Sequence, residues 1–128
     1  MLTEKDYCDN DTCVALKELG YIGQGRHYYD LDKDPKELRH FGIQVLTTRS
    51  AEALNFVLAV HLYDAQKWLR EVKKLHITIH SQSQESWQYR ITKPHQKLED
   101  GLHGEDFSSF EEALSEGIKE AIKHIEII

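Results

Sequence analysis

Cysteine is scarce in this chain: two residues, Cys8 and Cys13, in a length of 128. A secreted disulfide scaffold would carry more, so reduced thiols are expected. Long apolar runs are also missing. The longest is FVLAV, residues 56–60, far short of the ~20 residues that cross a bilayer. The opening stretch MLTEKDYCDNDTC is polar and acidic, so no signal peptide is expected. No repeat and no low-complexity segment is present. These absences predict a soluble, cytoplasmic protein.

Several chemical signatures are absent too. There is no C-x-x-C, no pair of histidines four apart on a helix and no G-x-S-x-G. GYIGQG (20–25) follows a helix and precedes a strand, the reverse of the order a phosphate-binding glycine loop needs. DLDKDP (30–35) lacks the sixth-position glycine and closing glutamate of a calcium loop. Positive charge is in deficit. Sixteen Lys and Arg against 22 Asp and Glu leave a net charge of −6, which disfavours nonspecific attraction to nucleic acid.

What is present is globular. Apolar residues make up 40% and charged residues 30%, enough for one core and one domain over 1–128. Residues 1–11 form a polar lead. Asp11 or Thr12 can cap a short helix with Val14, Leu16 and Leu19 on one side, and Gly20 ends it. RHYYDLD (26–32) reads as a strand, and KDPKELRHFG (33–42) as a turn or a brief helical excursion around Pro35. IQVLTTRS (43–50) reads as a strand with Ile43, Val45 and Thr47 on its packed side. Residues 51–60 fit either helix or strand.

The pattern then sharpens. Leu62, Ala65, Trp68, Leu69, Val72 and Leu75 recur at helical spacing. The period drops to two at HITIH, residues 76–80, where Ile77 and Ile79 oppose His76, Thr78 and His80. A polar turn and WQYRI complete a hairpin over 76–92. Residues 92–106 form a long polar loop. Ser109 and Glu112 make a capping box, and Phe110, Ala113, Leu114, Gly117, Ile118, Ala121, Ile122 and Ile125 make the apolar stripe of a closing helix. The fold class predicted is α+β, with a single, mainly antiparallel sheet and amphipathic helices on one face.

Three groups of residues bear on function. His76 and His80 share a strand face about 13 Å apart, too far for one metal ion with ligands ~2 Å away. They read as exposed strand positions, and no metal, cofactor or catalytic residue is expected. Tyr28, His76, Thr78, His80 and Arg90 are candidates for a polar interaction surface on the uncovered side of the sheet. Lys67, Arg70, Lys73 and Lys74 could form a basic patch, but Asp64 and Glu71 interrupt it, and a solvated helix face is the preferred reading. Cys13, near a helix start, reads as a small buried apolar group.

Ala65, Lys67, Trp68, Leu69, Arg70 and Glu71 spell A-x-K-W-L-R-E. Phe110, Glu111, Glu112, Ala113, Glu116, Gly117 and Ile118 spell F-E-E-A-x-x-E-G-I. With LKELGY (16–21), these motifs resemble a group of short uncharacterised proteins of gut Bacteroidetes genomes, phages and mobile elements. The likeness covers residues 60–128. It implies a helix–hairpin–helix unit in which Trp68, Phe110 and Gly117 are structural, and it carries no catalytic residues. The closing helix is also similar to that of Hic-type antitoxins.

The expectation is a non-enzymatic binding or protein-interaction module with a protein partner or self-association. A nucleic-acid-associated, antitoxin-like regulator using the basic helix face is the alternative. A small enzyme is the least favoured reading.

Overall fold

Asp9 begins the first helix by accepting a hydrogen bond from the Thr12 N–H at 2.9 Å. The cap thus lies two or three residues earlier than the sequence suggested. The helix, α1, spans Asn10–Glu18. It ends on Gly20, whose φ of +104° lets the Gly20 N–H reach Lys17 O and the Tyr21 N–H reach Leu16 O. That double return is the Schellman arrangement, which a residue with a Cβ enters at a cost.

The computed structural model describes residues 4–83, 85–93, 102–103 and 106–126. Their backbone contacts gather in two compact units, Met1–His61 and Leu62–Ile128, within the chain that the sequence predicted as one domain. The class is α+β. Among the described residues the single expected sheet is instead three small antiparallel ones.

In the first unit, β2 (His27–Asp30) lies between β3 (Arg39–His40) and β5 (Phe56–Leu58), and β1 (Gln24–Gly25) pairs with β4 (Leu46–Thr47). Alternate residues of β2 and β5 point opposite ways. Tyr29 stands opposite Val57, and its hydroxyl donates to Cys8 O at 2.7 Å, next to α1. Tyr28 stands opposite Leu58. It belongs to a second small core with Leu46, Ala51, Phe41 and Phe56.

The ambiguous stretch 51–60 is both elements in turn. Helix α2 (Thr48–Ala53) is closed by a capping box between Thr47 and Ser50, and Asn55 at φ +59° turns the chain into β5. Asparagine is the second choice after glycine for that left-handed position.

The strand expected at 43–50 shrinks to Leu46–Thr47, and its packed side is inverted. Ile43 is 90% exposed and Val45 50%, whereas Leu46 is 2% exposed. The alternation was right. Pairing with Gly25 turns the other face inward.

The second unit matches the sequence closely. Helix α3 (Leu62–Val72) buries Leu62, Ala65 and Leu69. Trp68 is half-buried rather than a deep anchor, and Val72 is 54% exposed. The helix stops at Lys74, held at φ +60°, so that the Leu75 N–H returns to Leu69 O. Strands β6 (His76–Ser83) and β7 (Ser86–Thr92) form the hairpin, and β7 also pairs with β8 (Leu102–His103). The polar loop expected over 92–106 lies largely outside the described residues.

Helix α4 (Phe110–Glu126) starts as expected, with the Glu112 N–H on the Ser109 hydroxyl, while the Glu112 carboxylate accepts from Ser108. It crosses the hairpin on the face of Ile77, Tyr89 and Ile91. At Gly117 a Cβ would come within 3.0 Å of Ile77 Cγ2 and 3.1 Å of Tyr89 Cβ.

Two substitutions test this account by thermal denaturation. Gly117→Ala gains about 1 kcal/mol of helix propensity but must displace Tyr89 at a point near its backbone. The expected net result is a loss of about 1 kcal/mol from overpacking. Lys74→Gly relieves about 1–2 kcal/mol of left-handed strain against a smaller entropic cost, and is expected to raise the melting temperature.

Candidate functional site

The outer face of the hairpin follows from its register. His76 pairs with Thr92, Thr78 with Arg90, and His80 with Gln88. Directly opposed residues share a face, so these six form two polar rows, while Ile77, Tyr89 and Ile91 take the face under α4. Thr78, His80 and Arg90 are exposed, and His76, Gln88 and Thr92 are half-buried.

The rows are knitted together. The Thr78 hydroxyl donates to Arg90 O at 3.4 Å and lies 3.2 Å from His80 Nε2. The Gln88 amide donates to Asp106 at 2.7 Å. The Thr78, His80 and Gln88 side chains are thereby held in hydrogen bonds on the sheet surface, beside the exposed Arg90.

Tyr28 does not belong with them. It lies in the other unit, stacked on Phe56 at a ring separation of 4.2 Å and edge-on to Phe41 at 5.9 Å. An aromatic on a short strand reads equally as surface or core from sequence alone. Here its cross-strand neighbours make it core.

The basic patch is also reduced. Lys73 Nζ sits 5.6 Å from the centre of the Trp68 ring, a cation–π contact. Lys74 lies beyond the end of α3 and donates from Nζ to Glu71 O at 2.9 Å, satisfying a terminal carbonyl. Lys67 and Arg70 remain exposed on the helix. Two cations make a weak phosphate site. Phe110 packs between Tyr63 and Trp87, with ring separations of 6.1 and 5.8 Å.

The structure assembles one cluster that the sequence hid. His27 and His40 are paired across β2 and β3, with rings 4.9 Å apart and nearly perpendicular. The Tyr7 hydroxyl lies 3.2 Å from His27 Nδ1, and the Tyr7 ring meets His61 edge-on at 5.5 Å. The Gly42 N–H donates to His40 Nδ1 at 3.1 Å, which fixes the neutral His40 tautomer with its proton on Nε2. Burial first, and the neighbouring His40 second, pull the His27 pKa below its ordinary range. Among the described residues no three His, Cys, Asp or Glu side chains stand close enough to hold a metal ion. Nothing local in the sequence announces the pairing, because it depends on the chain returning through the Pro35 turn.

Comparison with known proteins assigns no relative. No family model, curated protein or solved structure matches the chain. Among the described residues no helix is long and apolar enough to cross a membrane.

The His27–His40 pair has a pH consequence. A histidine whose folded pKa is depressed binds fewer protons folded than unfolded, so stability falls as pH drops below its ordinary value near 6.5. Thermal melts between pH 7.5 and 5 should show this loss, and His27→Gln should flatten the slope. Identical slopes for both proteins would contradict the assignment.

Proposed function

We propose that the chain is a non-catalytic protein-interaction module that binds its partner through the outer face of β6 and β7. The observation that carries this reading is the exposed row Thr78, His80 and Arg90 on a sheet whose other face is filled by α4. Its hydrogen-bonding groups are fixed by the hairpin and face solvent. On this reading the protein acts in the cytoplasm without a cofactor.

The nucleic-acid reading has less behind it. Two of its four cations, Lys73 and Lys74, are engaged by Trp68 and by the end of α3, and the chain is net acidic. Its demand for steep salt dependence separates it from protein binding.

Pull-down of the tagged protein from its host lysate, with and without nuclease, tests the proposal. The expected result is a protein partner that survives nuclease and is lost by tenfold or more in the Thr78→Ala, His80→Ala, Arg90→Ala triple variant. Lys67→Ala with Arg70→Ala should leave capture unchanged. The opposite pattern, with capture abolished by nuclease and by the lysine–arginine pair, would replace this reading with the nucleic-acid one.

A further inference from the structure

The two cysteines flank the cap of α1. Cys8 immediately precedes the N-cap residue Asp9, and Cys13 is the fourth residue of the helix. In many proteins an apolar pair at these two positions closes the helix entry as a hydrophobic staple. Here both members of the staple are thiols. Both are free and buried at 1% exposure.

Their surroundings hold them in place. The Cys13 thiol is directed at the Cys8 backbone and donates to its carbonyl. Cys13 Sγ accepts from the Val60 N–H at 3.3 Å and lies 3.5 Å from Cys8 O. The Cys8 backbone is pinned on both sides, by its N–H on Val60 O at 2.8 Å and by the Tyr29 hydroxyl on its carbonyl at 2.7 Å. A staple needs no sulfur. Leu or Val would fill such positions as well, with more apolar area.

We propose that Cys8 and Cys13 are a site of reversible oxidation, in which a peroxide converts the staple of α1 into an intramolecular disulfide. One sulfur, as thiolate, attacks the peroxide O–O bond. A sulfenic acid forms, and the departing hydroxide takes up the thiol's proton as water. The second thiol then attacks that sulfur. The S–S bond forms, the S–O bond breaks and a second water leaves. In sum two thiols and one hydrogen peroxide give one disulfide and two waters, with two electrons passing from sulfur to peroxide oxygen.

The roles of the two sulfurs differ. The adjoining Cys13 side chain and then burial push the Cys8 thiol well above the usual range, so Cys8 stays protonated. Cys13, whose sulfur accepts the Val60 N–H, is the attacking sulfur, and Cys8 is the resolving one. Burial makes the reaction slow, at the rate at which the segment around Cys8 opens.

The test is graded hydrogen peroxide on the folded wild-type protein, read by intact mass and peptide mapping. The expected product is a monomer lighter by two hydrogens, cross-linked between Cys8 and Cys13, restored by dithiothreitol and melting several degrees higher. Cys8→Ala should accumulate sulfenic acid on Cys13, trapped by dimedone, and Cys13→Ala should label poorly. Sulfinic or sulfonic acids without a cross-link, or disulfides between chains, would overturn the proposal. So would thiols left untouched at a peroxide dose that cross-links the urea-unfolded chain. Should either variant fail to fold, the wild-type mapping still decides.

Discussion

At Gly117 the closing helix meets the hairpin with no side chain between them. Ile77 and Tyr89 come up to the helix backbone itself, and this close approach sets the rest of the second unit. It brings Ala113, Leu114, Ile118, Ala121 and Ile122 down onto the sheet, where all are buried. It also commits the hairpin to one orientation. Once Ile77, Tyr89 and Ile91 face the helix, the strand period of two leaves His76, Thr78 and His80, with their partners, no choice but the outer side. The polar face proposed for binding is a geometric by-product of a glycine on the opposite side of the sheet.

The first unit is organised differently. Its elements are short, and side-chain hydrogen bonds do much of the joining. Tyr29 spans from β2 to the Cys8 carbonyl, Thr48 exchanges hydrogen bonds with Gly23, and Asn55 reaches Asp32 at 2.7 Å. Two-residue strands such as β1, β3 and β4 supply few ladder bonds of their own. The Tyr29 hydroxyl, in turn, is held protonated by burial beside the two thiols.

How much of this was legible in the sequence divides along the same line. Helices α3 and α4 and the hairpin between them could be read because a long amphipathic period states both element type and buried face. Leu62, Ala65 and Leu69, or Ile118 and Ile122, have no alternative side to bury. The stretch around Ile43 shows the limit. Alternation at period two is symmetric, so it names two faces without saying which is inward, and Leu46 rather than Ile43 and Val45 proved to be the core residue. The number of sheets was hidden because pairing is non-local, and nothing near His27 specifies His40. The cap of α1 was misplaced because four polar residues in a row, Asp9 to Thr12, can each serve. Of the candidate surface, His76, Thr78, His80 and Arg90 were grouped correctly by alternation, while Tyr28 could not be separated from them without its aromatic neighbours. The setting of the basic residues was hidden, since spacing along α3 cannot show that Lys73 folds back over Trp68 or that Lys74 lies past the helix end.

One contact in α3 has a colloidal side. In the sheet of the second unit, β6 is an outer strand, and the outward carbonyl of Ile77 accepts from the Gln66 amide at 2.8 Å. A strand from another molecule that approached this edge would find that acceptor taken and α3 in its path. Further along, the irregular register between Ser81 and Ser83 breaks the flat template that edge-to-edge growth requires. The second unit therefore leaves the outer face of its sheet open while one edge of that sheet is guarded.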